Sequence, residues 1–182
     1  MRVVEKTQLM TAAEIDRTLQ RLAHQIVEKN GGAAHLALIG IRRRGVPMAQ
    51  RLAGAIRGIA GVAVPVGILD ITLYRDDLSL VAPQPVVQSS EIEFSVDDKV
   101  LVLVDDVLYT GRTVRAAMNG LFDLGRPRRI ELCVLIDRGH RELPIEANFI
   151  GRVVQTSDAE IIEVKLEEID HQEKVMLVER VP

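Results

Sequence analysis

The chain has 182 residues, of which 47% are hydrophobic, and this composition suits one α/β domain with a substantial core. The formal net charge is −3 and the pI is near 5.8, which excludes a protein coated in positive charge but leaves a local basic face open. The aromatic content of 3% gives no independent support for nucleic-acid binding.

The single cysteine, Cys133, excludes an intrachain disulfide and is typical of a protein in the reducing cytoplasm. It lies in the apolar run ELCVLI, which predicts a buried, inert thiol. The first residues carry charges where a signal peptide needs an apolar core, and no apolar run approaches the roughly 18 residues of a membrane span. We therefore expect a single cytoplasmic domain over residues 1–182, without membrane contact.

The first predicted element is a helix that begins after Thr11. Glu14 follows three residues later, which is the spacing of a capping box, and apolar residues recur at helical spacing until the sequence NGG at 30–32. The run HLALIGI then predicts a buried strand, and RRRG predicts a loop. The next run, VPMAQRLAGAIRGIAG, predicts a helix with Pro47 in its first turn.

The middle of the chain predicts two further strands around a long loop. VPVGILDITLY reads as a strand, and RDDLSLVAPQPVVQSSEIEF reads as a flexible loop because it is polar and lacks periodicity. KVLVLV has the continuous apolar character of a strand in a parallel sheet, and the helix TVRAAMNGLFDLG and the strand RIELCVLI follow it. The remaining pieces are short and extended, namely ANFIG, RVVQTS, EIIEVKLEE and KVMLVERVP. This order predicts a parallel α/β sheet with a small β-rich appendage.

The most informative segment runs from Asp105 to Thr113, after the most apolar strand. Ligands of open α/β sheets bind beyond the carboxyl ends of the strands, and a glycine-containing turn before a helix offers N–H groups and hydroxyls that suit a phosphate. Acids would repel a phosphate, so Asp105 and Asp106 should instead face sugar hydroxyls or a metal-bound sugar. On these residues alone, an exposed acid pair followed by a capping threonine explains the pattern equally well.

Two common nucleotide motifs are missing from the positions that would carry them. Neither G-x-x-x-x-G-K-[ST] nor G-x-G-x-x-G follows any of these strands, which disfavours a nucleoside-triphosphatase and a dinucleotide-dependent dehydrogenase.

The sequence VLVDDVLYTGRT closely resembles the phosphoribosyl-diphosphate (PRPP) signature of type I phosphoribosyltransferases. Together with DITLYRDDL and DRGHRELPI, it resembles one branch over essentially the whole chain, the PyrR family of bifunctional attenuation regulators and uracil phosphoribosyltransferases. The resemblance implies a type I phosphoribosyltransferase fold. Such a fold has a central, mostly parallel twisted sheet flanked by helices, a small β-rich hood and a long flexible loop.

The resemblance also implies roles for the residues of the signature. The adjacent acids would bind the ribose hydroxyls, and the turn after them would wrap the 5′-phosphate. The implied PRPP- and UMP-binding residues are Asp105, Asp106, Val107, Leu108, Tyr109, Thr110, Gly111, Arg112 and Thr113. The implied catalytic residues are Asp105, Asp106 and Asp137.

Three other segments receive expected roles. A guanidinium cluster beside backbone amides can hold a departing diphosphate, although an exposed basic turn would look the same in sequence. The expected pyrophosphate loop is Arg42, Arg43, Arg44 and Gly45, and the expected lid residues are Tyr74, Arg75 and Asp76. The expected base-binding residues are Asp137, Arg138 and Val154, with the hood segment 154–157 beside them.

The implied reaction joins uracil and PRPP to give UMP and diphosphate. We expect Mg²⁺ to assist while bound mainly through PRPP, with no metal site formed by the protein alone. Displacement at the anomeric carbon passes through an oxocarbenium-like state, which nearby negative charge stabilises.

The resemblance implies a second role, binding of the pyr mRNA leader for transcription attenuation under control of UMP or UTP. RNA binding needs a local group of cations. The expected RNA-binding residues are Arg17, Arg21, His24, Arg138, His140, Arg141 and Arg152, in a homodimer or a higher oligomer. Glu146 is a departure, since family members tend to carry a basic residue there.

Two alternatives stay open on the sequence. One is an RNA-binding regulator whose catalytic site serves mainly as a nucleotide sensor. The other is a purely metabolic uracil or purine phosphoribosyltransferase without an RNA role.

Overall fold

The computed structural model describes residues 2–75 and 90–181, which form two sheets and four helices. The strands are β1 (Arg2–Thr11), β2 (Leu36–Ile41), β3 (Val66–Leu69), β4 (Val100–Leu108), β5 (Arg129–Asp137), β6 (Phe149–Val153), β7 (Glu160–Lys165) and β8 (Lys174–Val181). The helices are α1 (Ala12–Lys29), α2 (Gly45–Ala60), α3 (Arg112–Phe122) and α4 (Glu167–Asp170). Within the described ranges, no helix combines the length and the apolar character needed to cross a bilayer.

The central sheet has five parallel strands in the order β3-β2-β4-β5-β6. Its inner strands are apolar along most of their length because both faces are covered. Residues of α1 and α2 pack on one face, and residues of α3 pack on the other. The predicted parallel α/β architecture is confirmed.

Helix α1 begins as its sequence predicts. The hydroxyl of Thr11 accepts the N–H of Glu14 at 3.3 Å, and the Glu14 carboxylate accepts the N–H of Thr11 at 2.8 Å. This reciprocal capping box satisfies two N–H groups that the helix itself leaves without partners.

The hood is a three-stranded antiparallel sheet in the order β1-β8-β7. Its first strand was not predicted. Residues 3–8 of β1 are exposed, and two register irregularities interrupt the pairing with β8, so the sequence lacks the alternation that marks a strand. Hood residues such as Val164 and Val175 belong to the same core cluster as α1 and α2.

Three other predicted boundaries were wrong. The strand expected over VPVGILDITLY ends at Leu69, because the Asp70 carboxylate accepts the N–H and the hydroxyl of Thr72 and turns the chain. ANFIG and RVVQTS contribute to one strand, β6, which joins the central sheet. EIIEVKLEE ends in the short helix α4. Of the predicted flexible loop, residues 76–89 lie outside the described residues.

Candidate active site

A cavity of about 500 Å³ lies at the carboxyl ends of β2, β3 and β4. It brings together the expected pyrophosphate loop, the acid pair and one end of the expected phosphate turn. The lining residues are Arg42, Arg43, Arg44, Asp70, Ile71, Thr72, Arg75, Asp105, Asp106, Val107 and Thr113.

The arginine loop, formed by Arg42, Arg43 and Arg44, lies close to the acid pair because the backbone at Gly45 packs directly on the backbone of β4. A Cβ atom on Gly45 would collide with the carbonyl oxygen of Val104, and one on Gly40 would lie 2.7 Å from the carbonyl oxygen of Gly45. Only glycine at position 45 therefore lets the start of α2 pack directly on β4. Gly45 thus positions the loop, while the three arginines before it carry the charge.

Asp105 and Asp106 occupy the end of β4, not the loop that the sequence predicted. Asp105 is only 8% exposed, so the expectation that both acids are exposed is wrong for this residue. The N–H of Asp106 donates to the Asp105 carboxylate, and the N–H of Val107 donates to that of Asp106, each at 2.9 Å. Burial, and secondly the neighbouring charge of Asp106, raise the pKa of Asp105 well above its usual value.

The expected phosphate turn, from Thr110 to Thr113, leads into α3 and is held by hydrogen bonds from backbone N–H groups. Gly111 has a φ of 92°, a left-handed conformation that favours glycine. The hydroxyl of Thr110 accepts the N–H of Arg112 at 3.3 Å, and its carbonyl accepts the N–H groups of Glu142 and Leu143. Because a helix N-terminus favours anions, this supported turn suits a phosphate beside Thr113.

The nine residues of the signature do not all face the cavity. Asp105, Asp106, Val107 and Thr113 line it, and Leu108 is buried in the core on the α3 side. Tyr109 is not among the lining residues and is 40% exposed. The sequence singled out the segment as a whole, but it did not distinguish the residues that line the cavity from those that support them.

The expected lid residues are separated. Arg75 lines the cavity. The hydroxyl of Tyr74 donates to the Asp123 carboxylate at 2.8 Å, and its ring lies close to Gly120, so this side chain packs on α3. Asp76 lies outside the described residues.

The expected base-binding residues lie together, next to the cavity but not among its lining. Both carboxylate oxygens of Asp137 accept hydrogen bonds from Arg141, at 2.8 and 2.7 Å, and the N–H of Val154 donates to the Asp137 carbonyl. Arg138 is 6% exposed and donates to the Thr156 hydroxyl and the Glu160 carbonyl. Arg141 therefore pairs with both carboxylate oxygens of Asp137, and the predicted catalytic role of Asp137 stays a prediction.

The expected RNA-binding residues fall into two groups. On α1, Arg17 and His24 are exposed, while Arg21 donates to the Gly151 carbonyl at 2.6 Å and Arg152 donates to the Leu9 carbonyl. The second group follows β5 and comprises Arg138, His140 and Arg141. Burial of Arg138 argues against the predicted direct contact of its guanidinium with RNA.

Sequence reasoning missed the wall formed by Asp70, Ile71 and Thr72. The signal was present, because an aspartate followed two residues later by threonine is typical of a turn closed by the side chain. It also missed Asp170, whose carboxylate accepts hydrogen bonds from Nε of Arg44 at 3.1 Å and from Nη2 at 2.7 Å. The same carboxylate accepts the N–H of Leu166 at 2.9 Å, so α4 of the hood holds an arginine of the cavity.

Comparison with known proteins fits this geometry. The model of the phosphoribosyl transferase domain family matches residues 6–169. The bifunctional protein PyrR of Pelotomaculum thermopropionicum is 60% identical over 96% of this chain and 97% of its own, and that of Thermus thermophilus is 57% identical with the same coverage. The chain belongs to the PyrR family of phosphoribosyltransferases.

Solved structures agree on the fold. A hypoxanthine phosphoribosyltransferase of Trypanosoma cruzi has a TM-score of 0.73 at 16% identity, covering 97% of this chain and 98% of that one. One from Staphylococcus aureus has a TM-score of 0.70 at 19% identity, covering 94% and 92%. The predicted type I phosphoribosyltransferase fold and the predicted PyrR family are confirmed.

We predict that Asp105→Asn raises the free energy of unfolding of this protein at pH 7. A carboxyl whose folded-state pKa is raised binds its proton more tightly in the folded chain. Stability is therefore lost as pH rises from the unfolded pKa, about 3.9, towards the folded one. The asparagine cannot ionise, and its oxygen can still accept the Asp106 N–H.

Urea unfolding at about pH 7 and about pH 3.5 measures this effect, since at the lower pH Asp105 is protonated in the folded state and mostly protonated in the unfolded state. The advantage of the variant should be present at the higher pH and shrink at the lower one. Asp16→Asn, on the exposed side of α1, controls for loss of a carboxylate. A variant that is less stable than the parent at pH 7 would contradict the prediction.

We predict that Asp170→Asn raises the KM for PRPP about tenfold while changing kcat less, because a charged hydrogen-bonded pair contributes roughly 1.5 kcal/mol. The hydrogen bond to Asp170 raises the pKa of Arg44, which reflects how closely the pair is joined. Steady-state kinetics with varied PRPP measures the effect. Glu168→Gln is the matched control, since Glu168 lies on the same helix but pairs with Arg51. Equal KM values for the two variants would contradict a positioning role for Asp170.

Proposed function

We propose that this chain transfers the phosphoribosyl group of PRPP to uracil, and that it also binds the pyr mRNA leader to control transcription by attenuation. The observation that carries the enzymatic part is the joint cavity of the arginine loop and the acid pair. The match to proteins named bifunctional PyrR bears out the expectation of two functions. A cytoplasmic location, where both PRPP and mRNA are available, belongs to the same proposal.

Different residues of the cavity contact different parts of PRPP. Asp105 and Asp106 accept hydrogen bonds from the ribose hydroxyls, and the turn from Thr110 to Thr113 holds the 5′-phosphate. The three arginines before Gly45 face the diphosphate, whose charge they match with planar, multiple donors. This arrangement holds the anomeric carbon between the acids and the arginines.

The reaction breaks the bond from C1′ to the diphosphate oxygen and forms the bond from C1′ to N1 of uracil, whose N1 proton is released to solvent. Positive charge develops on the sugar, and carboxylates fixed near the ribose stabilise it. The arginine loop stabilises the charge that collects on the leaving diphosphate. Most of the acceleration therefore comes from positioning and electrostatics, without a covalent nucleophile.

The donor set fits a Mg²⁺ ion that arrives with the substrate. Among residues 2–75 and 90–181, no group of three or more His, Cys, Asp or Glu side chains is placed to hold a metal. The acid pair alone would supply few ligands, so most would come from PRPP oxygens and water. Asp106, the more exposed acid, is the better placed of the two to contact such an ion. Bound there, Mg²⁺ would neutralise charge on the diphosphate.

The base would lie beyond the ribose, between Val107 and the segment 154–157. This segment is tied to the end of β5, because the N–H of Val154 donates to Asp137 and the Thr156 carbonyl accepts from His140. Asp137 then acts by holding Arg141 and the loop after β5, and not by proton transfer.

The regulatory part rests on exposed cations outside the cavity. Arg17 and His24 on α1 and Arg152 on β6 are exposed, and Arg17 and Arg152 line a groove of about 310 Å³. Two copies in a homodimer would combine two such sets of cations into one surface. UMP or UTP in the active site would control the affinity of this surface for RNA.

We predict that the purified protein with Mg²⁺ and PRPP converts uracil to UMP, and that it does not use hypoxanthine or orotate. Asp106→Asn should lower kcat/KM by at least about 100-fold, or roughly 3 kcal/mol of transition-state stabilisation. Radiolabelled base and product separation measure turnover, with Asp16→Asn as the control. Turnover of hypoxanthine in place of uracil would favour a purine enzyme, and an active Asp106→Asn variant would contradict the ribose assignment.

We predict that the leader transcript of the pyrimidine operon binds more tightly when UMP is present. Arg17→Gln should weaken binding and reduce its salt dependence, because a lost phosphate contact releases fewer counterions. Filter binding at several salt concentrations, with and without UMP, gives both quantities. If the protein does not bind the transcript, the result favours the alternative of a purely metabolic enzyme. RNA binding that UMP controls, without turnover, would leave a regulator with a nucleotide sensor.

A further inference from the structure

Tyr109 is an exposed aromatic residue in a chain with few aromatic side chains. It lies between the ribose acids and the phosphate turn, yet its ring is 40% exposed and does not line the active-site cavity. Neither the transfer reaction nor the basic surface on α1 accounts for it.

One face of the ring is covered by a fixed cation. The guanidinium carbon of Arg138 lies 4.0 Å from the ring centroid, within the range of a cation–π interaction. Arg138 itself is 6% exposed and is held by the Thr156 hydroxyl at 3.1 Å and the Glu160 carbonyl at 2.7 Å. The ring therefore rests on a support that belongs to the folded core.

The edge of the ring meets a second fixed group. The His140 ring lies edge-on, with the centroids 5.7 Å apart and the planes at 63°. Its Nε2 lies 2.7 Å from the Thr156 carbonyl, and its Nδ1 lies 3.3 Å from Asp158. Two neighbours thus fix the ring, and its exposed fraction indicates that the other face is open to solvent.

We propose that an unpaired base of RNA stacks on the open face of Tyr109. Aromatic rings bind the faces of unpaired bases in RNA loops, and a ring that is already fixed loses little entropy on binding. This inference rests on the RNA-binding part of the proposed function and assigns it a contact that the basic residues alone do not supply.

The charges around the ring favour a base over a phosphate. Asp158 is 97% exposed on its side chain, and Glu142 is also exposed and pairs with Arg112. Acids at these positions repel phosphates, whereas the face of a base is uncharged. Arg180 is exposed nearby and offers a cation for the adjoining backbone.

The Tyr109 ring is joined through its own backbone to the phosphate turn. The Tyr109 carbonyl accepts a hydrogen bond from Arg141 at 2.6 Å, and the next residue, Thr110, accepts the N–H groups of Glu142 and Leu143. A 5′-phosphate bound by the turn would therefore lie next to the ring along the chain, so the nucleotide site and the stacking surface share one short segment of backbone.

The test compares Tyr109→Leu with Tyr109→Phe, using the leader transcript of the pyrimidine operon as the probe in the presence of UMP. Stacking contributes roughly 1–3 kcal/mol per base, so Tyr109→Leu should raise the Kd for RNA about 5- to 150-fold. Tyr109→Phe keeps the ring and should stay near the parent value. Phe122→Leu, which removes a ring that is 60% exposed on α3, is the matched control and should have no effect.

Fluorescence reports the contact directly. The chain has no tryptophan and two tyrosines, so Tyr74→Phe leaves Tyr109 as the single fluorescent tyrosine. Titration of this variant with the transcript should quench tyrosine emission at the same Kd that filter binding gives. This readout does not depend on whether Tyr109→Leu folds normally.

The outcomes separate this inference from the function on which it rests. If the parent binds the transcript and Tyr109→Leu binds it equally well, or if Tyr109 emission does not change, the stacking contact is overturned while RNA regulation stands. If Tyr109→Leu loses affinity for UMP but not for RNA, the ring serves the substrate and the inference is also overturned. If the parent binds no RNA, both fail.

Discussion

The site depends on one contact between backbones, that of Gly45 with the carbonyl of Val104. It sets the start of α2 against the end of β4, so that the arginine loop after β2 and the acid pair share one cavity. Because neither partner is a flexible side chain, the backbone spacing between the arginine loop and the acid pair is fixed by the fold itself. Under the proposed function, a substrate with a sugar at one end and a diphosphate at the other would meet a backbone that is already arranged.

Placing two acids side by side at a buried position lowers the stability of the fold, and contacts elsewhere in the molecule offset that loss. Asp105 is buried beside a second acid, and burial disfavours its ionised form. The hood contributes support from the other side, since α4 carries Asp170 to Arg44, and the pair of Arg51 with Glu168 joins the same helix to α2. The shared core of the hood and the central sheet keeps these contacts in place.

Elements with a strong local pattern were predictable from the sequence. The capping box at Thr11, the apolar strands and the segment at Asp105 all had clear periodicity or turn chemistry. The strand β1 was not predicted because its hydrogen bonds go to β8, more than 160 residues away, and its side chains do not alternate. The burial of Asp105 and the pairing of Asp137 with Arg141 depend on tertiary packing, which a single sequence does not encode locally.

The loop after β5 explains why one small domain can carry two functions. Arg141 binds both Asp137 and the Tyr109 carbonyl, and Arg138 lies against the Tyr109 ring. This loop therefore contacts both the backbone and the side chain of Tyr109. Residues that the sequence suggested as RNA contacts therefore act in part as internal supports. The phosphate turn and the exposed ring are consecutive parts of the segment that follows β4, so the two functions share one short stretch of backbone.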